Sequence, residues 1–294
     1  MRLIKPSYKI IEQEPGINGV YKMIEYAGRI CYKSSNKITE DSAKPFVDRM
    51  IKSGHGAMLE HGTVYLFIKI SAYDRTLIYH IQEYEKNPYS KVIYLGFDDN
   101  EETNFKDILG HPATGDMQYV VTTNYRVLVE NGWLDDLKYI CEPTKFHKRR
   151  TTVHFTADAG VMREFFRHRV FSMAQESTRY CNYLRDKFDN SITVIYPSWL
   201  KEEEELEFEE DMRVIEELYF KWLKKGWTAQ QARVFLPLGI KAEAVMTGFT
   251  SDWKHFFRVR SRIAETGKPH PQAQELADPL MDEFIKRGIM ETLI

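Results

Sequence analysis

The stretch Val161 to Tyr180, VMREFFRHRVFSMAQESTRY, decides how the rest of the chain is read. Val161, Met162, Phe165 and Phe166 recur at helical spacing, so the segment opens as an amphipathic helix. Arg167, His168 and Arg169 follow side by side. Consecutive helical residues point in different directions, so one face uses all three only where the helix ends and the backbone turns. Ser172, Gln175, Ser177, Thr178 and Arg179 then read as a short polar loop. Two guanidinium forks at a helix end, followed by hydroxyl donors, suit an anion with several oxygens, such as a phosphate. The same arginines would also complement the helix dipole on a solvated face. The residue pattern by itself leaves both readings open.

Arg167-His168-Arg169, then seven residues, then Ser177, with Arg179-Tyr180 behind, resembles the signature of the flavin-dependent thymidylate synthases. Two other blocks are similar to that family, in the same order along the chain. One is Gly54-His55 ahead of Glu60-His61; the other runs from QQARVFLPLG, which holds Arg233, through HFFRVR, which ends on Arg260, to His270. Together the blocks cover about 54–61, 161–180 and 231–275. The sequence departs from the family pattern at Ala174 and Gln175, where Asn-Glu is usual. It departs again at Ala57, usually Thr, and at Phe249 and His255, usually Asn.

The resemblance implies an α+β fold, a mixed sheet with long helices, assembling as a homotetramer with the site built between subunits. It implies reductive methylation of dUMP to dTMP. Methylenetetrahydrofolate would donate the carbon, FAD would carry the hydride and NADPH would reduce it, with no Cys nucleophile. It assigns the dUMP contacts to Glu164, Arg167, Gln175, Ser177, Thr178, Arg179, Arg233 and Arg260. It assigns the FAD contacts to His55, Ala57, Arg167, His168, Arg169, Gln175 and His255. Arg260, Ser177 and His55 carry the catalytic roles in this scheme. The chemistry is coherent: uracil becomes electron-rich when N3 loses its proton, and a fixed guanidinium beside N3 and O4 favours that anion in a site shielded from water. No glycine-rich dinucleotide fingerprint or phosphate loop occurs, so FAD would be held without the usual dinucleotide fold.

Composition bounds the alternatives. With 294 residues, 43% hydrophobic and 29% charged, the chain can bury a large core, read here as one elaborated domain over 1–294. The formal charge of −2 provides no global basic field, which disfavours a non-catalytic RNA- or phosphate-binding protein, and no nucleic-acid partner is expected. A flavin-binding family member without turnover is the other rival, given the departures above. Cys31, Cys141 and Cys181 form no close pair, as in a reducing compartment. His55, Glu60 and His61 lack the helical spacing of a His-pair metal site and have no third ligand nearby, so no metal is expected. The start has no apolar signal core, and no apolar run reaches the roughly 18 residues of a membrane span, so a soluble cytoplasmic protein is expected.

Helices are expected over Val20–Tyr32, Asp41–Ser53, Tyr119–Asn131, Ala229–Phe235 and Trp253–Ile263. A long one starts in the acidic run before Asp211 and ends near Gly226, and a last one, Gln274–Lys286, is kinked or restarted at Pro279. Strands are expected at Tyr8–Ile11, Thr63–Ile70, Thr151–Thr156 and Ile192–Tyr196. Ala242–Phe249 is ambiguous and leans helical through Ala and Glu. The turn-rich interval 72–150 reads as an insertion on the core fold.

Overall fold

A computed structural model describes residues 1–71, 73–97, 116–179, 181–184 and 190–292, with the backbone alone at 102–106 and 112–114. Tyr180 and parts of the turn-rich interval between 98 and 115 lie outside the described residues. In chain order the elements are β1 (Arg2–Ile4), β2 (Ser7–Ile11), α1 (Gly16–Tyr32), α2 (Ala43–Lys52), α3 (Gly56–Leu59), β3 (Thr63–Ile70) and α4 (Arg75–Lys86). Next come β4 (Lys91–Phe97), β5 (Glu102–Lys106), β6 (Pro112–Thr114), β7 (Met117–Asn124), α5 (Tyr125–Asn131), β8 (Arg150–Asp158), α6 (Ala159–Phe165) and β9 (Ser172–Gln175). The chain closes with β10 (Thr193–Ile195), α7 (Glu205–Lys224), α8 (Ala229–Ala232), β11 (Lys241–Phe249), α9 (Thr250–Arg260) and α10 (Pro271–Lys286). The architecture is mixed α and β. Among the described residues no helix is long and apolar enough to cross a membrane.

The chain forms two compact units. The first is Met1–Glu12, Tyr26–Ile38 and Thr151–Ile294; the second is Gln13–Glu25 and Thr39–Arg150. In the first, four strands form a sheet in the order β2-β8-β11-β9, and β1 pairs with β10 in parallel. Side chains alternate across a strand, and here the two faces differ in chemistry. Ile10, Val153, Phe155, Ala242, Ala244 and Met246 lie on one face, in a core shared with α6, α9 and α10 through Phe165, Trp253, Phe256, Phe257, Leu280 and Phe284. Burying each large ring contributes on the order of 2–3 kcal/mol.

The other face is polar. The hydroxyls of Thr152 and Thr247 lie 2.8 Å apart, and His154 Nδ1 lies 2.7 Å from the Tyr26 hydroxyl. Lys33, just past α1, pairs with Glu243 on β11. The part of α1 from Tyr26 onward therefore covers this face with polar contacts.

The second unit is built on the antiparallel sheet β3-β7-β4, registered from Thr63 opposite Asn124 to Ile70 opposite Met117. Val64, Leu66, Ile68 and Ile70 alternate inward and are buried. Asp74 caps α4 through the Leu77 N–H, and Asn124 caps α5 through the Val127 N–H. The interval 72–150 thus supplies β4, β7, α4 and α5.

Four local expectations need correction. Tyr119–Asn131 is not one helix: Tyr119–Asn124 finishes β7, and only Tyr125–Asn131 is helical, because Asn124 acts as the cap. Ala242–Phe249 is a strand, buried along nearly all its length, so pairing with β9 and packing override the helical preference of Ala and Glu. Ser172–Gln175 is likewise a strand rather than a loop. Finally, α10 begins at Pro271 and runs unbroken through Pro279. Pro279 and Glu275 are both exposed, so the carbonyl that loses its N–H partner is one turn back on the solvated side.

Candidate functional site

The signature begins where α6 ends. Asp158 Oδ1 accepts the Val161 N–H at 2.8 Å and starts the helix. Val161, Met162 and Phe165 bury its apolar side. The helix stops after Phe165, so Arg167, His168 and Arg169 fall on a turning backbone, as the sequence requires. His168 is buried, while Arg167 and Arg169 are exposed.

Arg260, the last residue of α9, reaches back to this turn. Its Nη1 donates to Glu164 Oε2 at 2.5 Å, its Nη2 to the Glu164 carbonyl at 2.8 Å, and its Nε to His168 Nε2 at 3.3 Å. The guanidinium has five N–H groups. Three are committed to this cradle, and two have no partner among the described residues. Burial draws Arg260 below its usual range; Glu164 pushes it up and Arg167 down again.

Burial is also the main influence on His168, with Arg260 and His255 adding to it; together they lower it to about 4. The ring is therefore neutral near pH 7. Since Nε2 accepts from Arg260, the single proton belongs on Nδ1. The exposed His255 ring stands 5.6 Å from His168.

Gln175 ends β9 opposite Ala244, which places it on the sheet face that carries the helices. Ser177 Oγ accepts the Arg179 N–H at 3.4 Å, and Arg179 Nε donates to Gln230 Oε1 at 3.1 Å. Thr178 is half-buried between them. Gln230 belongs to α8, whose cap is Thr228, and α8 leads straight into the one-turn 3₁₀ segment Arg233–Phe235. Among the described residues, the guanidiniums of Arg167, Arg169 and Arg233 make no hydrogen bond or ion pair.

The first unit therefore assembles two sets. One joins Glu164, Arg167, His168, His255 and Arg260; the other joins Ser177, Thr178 and Arg179 to the element bearing Arg233. His55 and Ala57 lie in the second unit. His55 is the exposed N-cap of α3, and Gly54 before it takes φ +70, a left-handed turn that suits glycine. His61 is fully buried at the entry to β3. Among the described residues no three His, Cys, Asp or Glu side chains are arranged to hold a metal.

Residue type and spacing alone do not single out Glu176, Lys33, Lys241 and Glu243. Glu176 lies inside the signature itself, 1% exposed, with Lys241 Nζ at 2.9 Å. Strand alternation beside Gln175 was the available signal for it.

This chain belongs to the family of thymidylate synthase complementing proteins, whose family profile matches residues 116–287. A flavin-dependent thymidylate synthase of Pyrococcus abyssi is 28% identical over 133 residues, which is 45% of this chain and 52% of that protein. A probable flavin-dependent thymidylate synthase of Paramecium bursaria Chlorella virus 1 is 27% identical over 150 residues, 46% of this chain and 66% of that one. The chain thus spans about half the length of the first of these relatives. Among solved structures, a UMP/dUMP methylase PolB from Streptomyces cacaoi bound with 5-Br dUMP aligns with a TM-score of 0.43 and 14% identity, over 97% of this chain and 93% of that one.

His168 and the half-buried His154 give a pH prediction. His154 is lowered to about 4, chiefly by burial and then by Lys33, Lys241 and Lys9. From pH 6.5 down to about 4 the unfolded chain takes up protons at His154 and His168 that the folded chain refuses. Their stabilising contribution is thus complete above 6.5 and lost as the pH falls through that window. Urea midpoints measured at pH 7.0 and 5.0 should differ, and His154→Gln should narrow the difference. An equal drop in both proteins would remove His154 from this account.

Proposed function

We propose that the chain is a methyltransferase that converts dUMP to dTMP, with methylenetetrahydrofolate as carbon donor, FAD as hydride carrier and NADPH as reductant. The observation that carries this reading is the cradled Arg260, with two N–H groups free among the described residues beside neutral His168. Such a guanidinium is fixed before substrate arrives, so it favours a uracil ring that has lost its N3 proton at little reorganisation cost. Arg167, Ser177 and Arg179 would hold the phosphate and the base edge, Arg233 would complete the grip, and Ser177 would act as a hydrogen-bond donor.

The residues present fit a diphosphate-bearing cofactor: Arg167 and Arg169 offer two uncommitted guanidiniums at a helix end, next to the buried His168 ring. FAD bound there, with His255 beside His168, would supply the hydride. A homotetramer with the site completed between subunits, as the resemblance implies, is part of this reading. The cytoplasm is the compartment we infer.

A second reading has its own support. Ala174 and Phe249, which replace usual Asn residues, are both buried. They offer no side-chain hydrogen bond, so a flavin-binding protein without turnover fits them too. The visible spectrum separates the two. Flavin absorbance bleached by NADPH, followed by dTMP formation once dUMP and methylenetetrahydrofolate are added, is the expected result. Bleaching without dTMP favours the second reading, and a protein that takes up no FAD sinks both.

A further inference from the structure

Glu176 sits between two proposed substrate contacts, yet it belongs to the opposite side of the sheet. Its N–H donates to the Glu243 carbonyl at 2.8 Å, carrying the β9–β11 pairing one residue beyond Gln175. The Ser177 N–H then donates to the Cys31 carbonyl at 3.3 Å. The Glu176 carboxylate has Lys241 Nζ at 2.9 Å and Lys33 Nζ at 3.7 Å. Both lysines also face Glu243. Two ammoniums and two carboxylates thus form a neutral quartet on the polar face. Lys33 holds its place with φ 48, unusual for a residue with a side chain.

We propose that Glu176, clamped by Lys241 and Lys33, is a positioning residue that fixes the register of Gln175–Arg179 for dUMP; the proposal rests on the function inferred above. Side chains alternate along a strand, so anchoring Glu176 in the polar layer sends Gln175 to the helix-bearing face and brings Ser177, just beyond the strand, to the Cys31 carbonyl. A slip of one residue would drive the carboxylate into the apolar core and carry Gln175 into the quartet. The penalty for separating a buried carboxylate from its partners opposes that slip. Among the described residues neither Glu176 oxygen has a hydrogen-bond partner besides these ion contacts, so the hold they provide is the charge pairing itself.

The test is a double-mutant cycle in the full FAD-loaded chain: Glu176→Gln, Lys241→Gln and both together. Each single variant should raise the dUMP KM roughly 10-fold with kcat changed by less than about 3-fold, a split expected of misplaced binding groups. The double variant, in which two amides can pair, should be no worse than the poorer single one. Amide hydrogen exchange, which needs no turnover, should speed up over 172–179 in each single variant. A normally folded Glu176→Gln with unchanged KM and unchanged exchange overturns the proposal. If Glu176→Gln does not fold, the same readouts on Lys241→Gln, which leaves the signature intact, decide the matter alone. Wild-type protein that neither binds nor methylates dUMP defeats the proposed function instead, and the exchange result still reports on the clamp.

Discussion

Arg260→Lys should keep the fold and lose at least about 100-fold in kcat, roughly 3 kcal/mol of transition-state stabilisation, as removal of one preorganised donor does elsewhere. Arg260 meets the Glu164 carboxylate, the Glu164 carbonyl and His168 Nε2 with three different nitrogens, and a planar fork does this while leaving two N–H groups without a partner among the described residues. Lysine offers one nitrogen with three donors. Any geometry that satisfies Glu164 leaves it without a rigid donor for the uracil. The ion pair with Glu164 survives, so unfolding should shift little and the KM for dUMP should rise less than kcat falls. The assay is steady-state turnover beside a thermal melt. Unchanged turnover would exclude Arg260 from the reaction, whatever its place in the structure.

Much of this was legible in the sequence, and the failures have physical reasons. Thr63–Ile70 reads as a strand because β-branched and aromatic residues alternate, and β3 has those bounds. The end of α6 is legible because three neighbouring cationic or titratable residues cannot share a helical face. Ala242–Phe249 misleads because a strand covered on both faces shows no period-two pattern, and single-residue preferences then point the wrong way. Within the site, Arg167, His168 and Arg169 announce themselves by residue type. The bonds from Arg260 to His168 and to Glu164 span 92 and 96 positions, and no local pattern carries that information. The quartet fails to show for the same reason, since lysines and glutamates scattered through a chain of balanced charge look like surface.

The largest stability effect should come from Phe256→Ala. This ring is fully buried, with Phe165 at 5.0 Å, His168 at 5.1 Å, Trp253 at 5.4 Å and Phe257 at 5.6 Å between centroids. Neighbours on α6, on the turn after it and on α9 itself cannot all relax into the vacated space, so most of the cavity would persist. The expected cost is about 3–5 kcal/mol, a large share of the roughly 5–15 kcal/mol by which domains are stable. The urea midpoint, followed by tryptophan fluorescence, should fall accordingly, and Phe256→Leu should lose clearly less. Phe256 also supports the face of His168, one turn before Arg260. At temperatures where the variant stays folded, turnover should therefore fall, though less than in Arg260→Lys. A loss of stability under about 1 kcal/mol would mean that the aromatic cluster repacks freely, and the rigidity ascribed to the Arg260 cradle would lose its foundation.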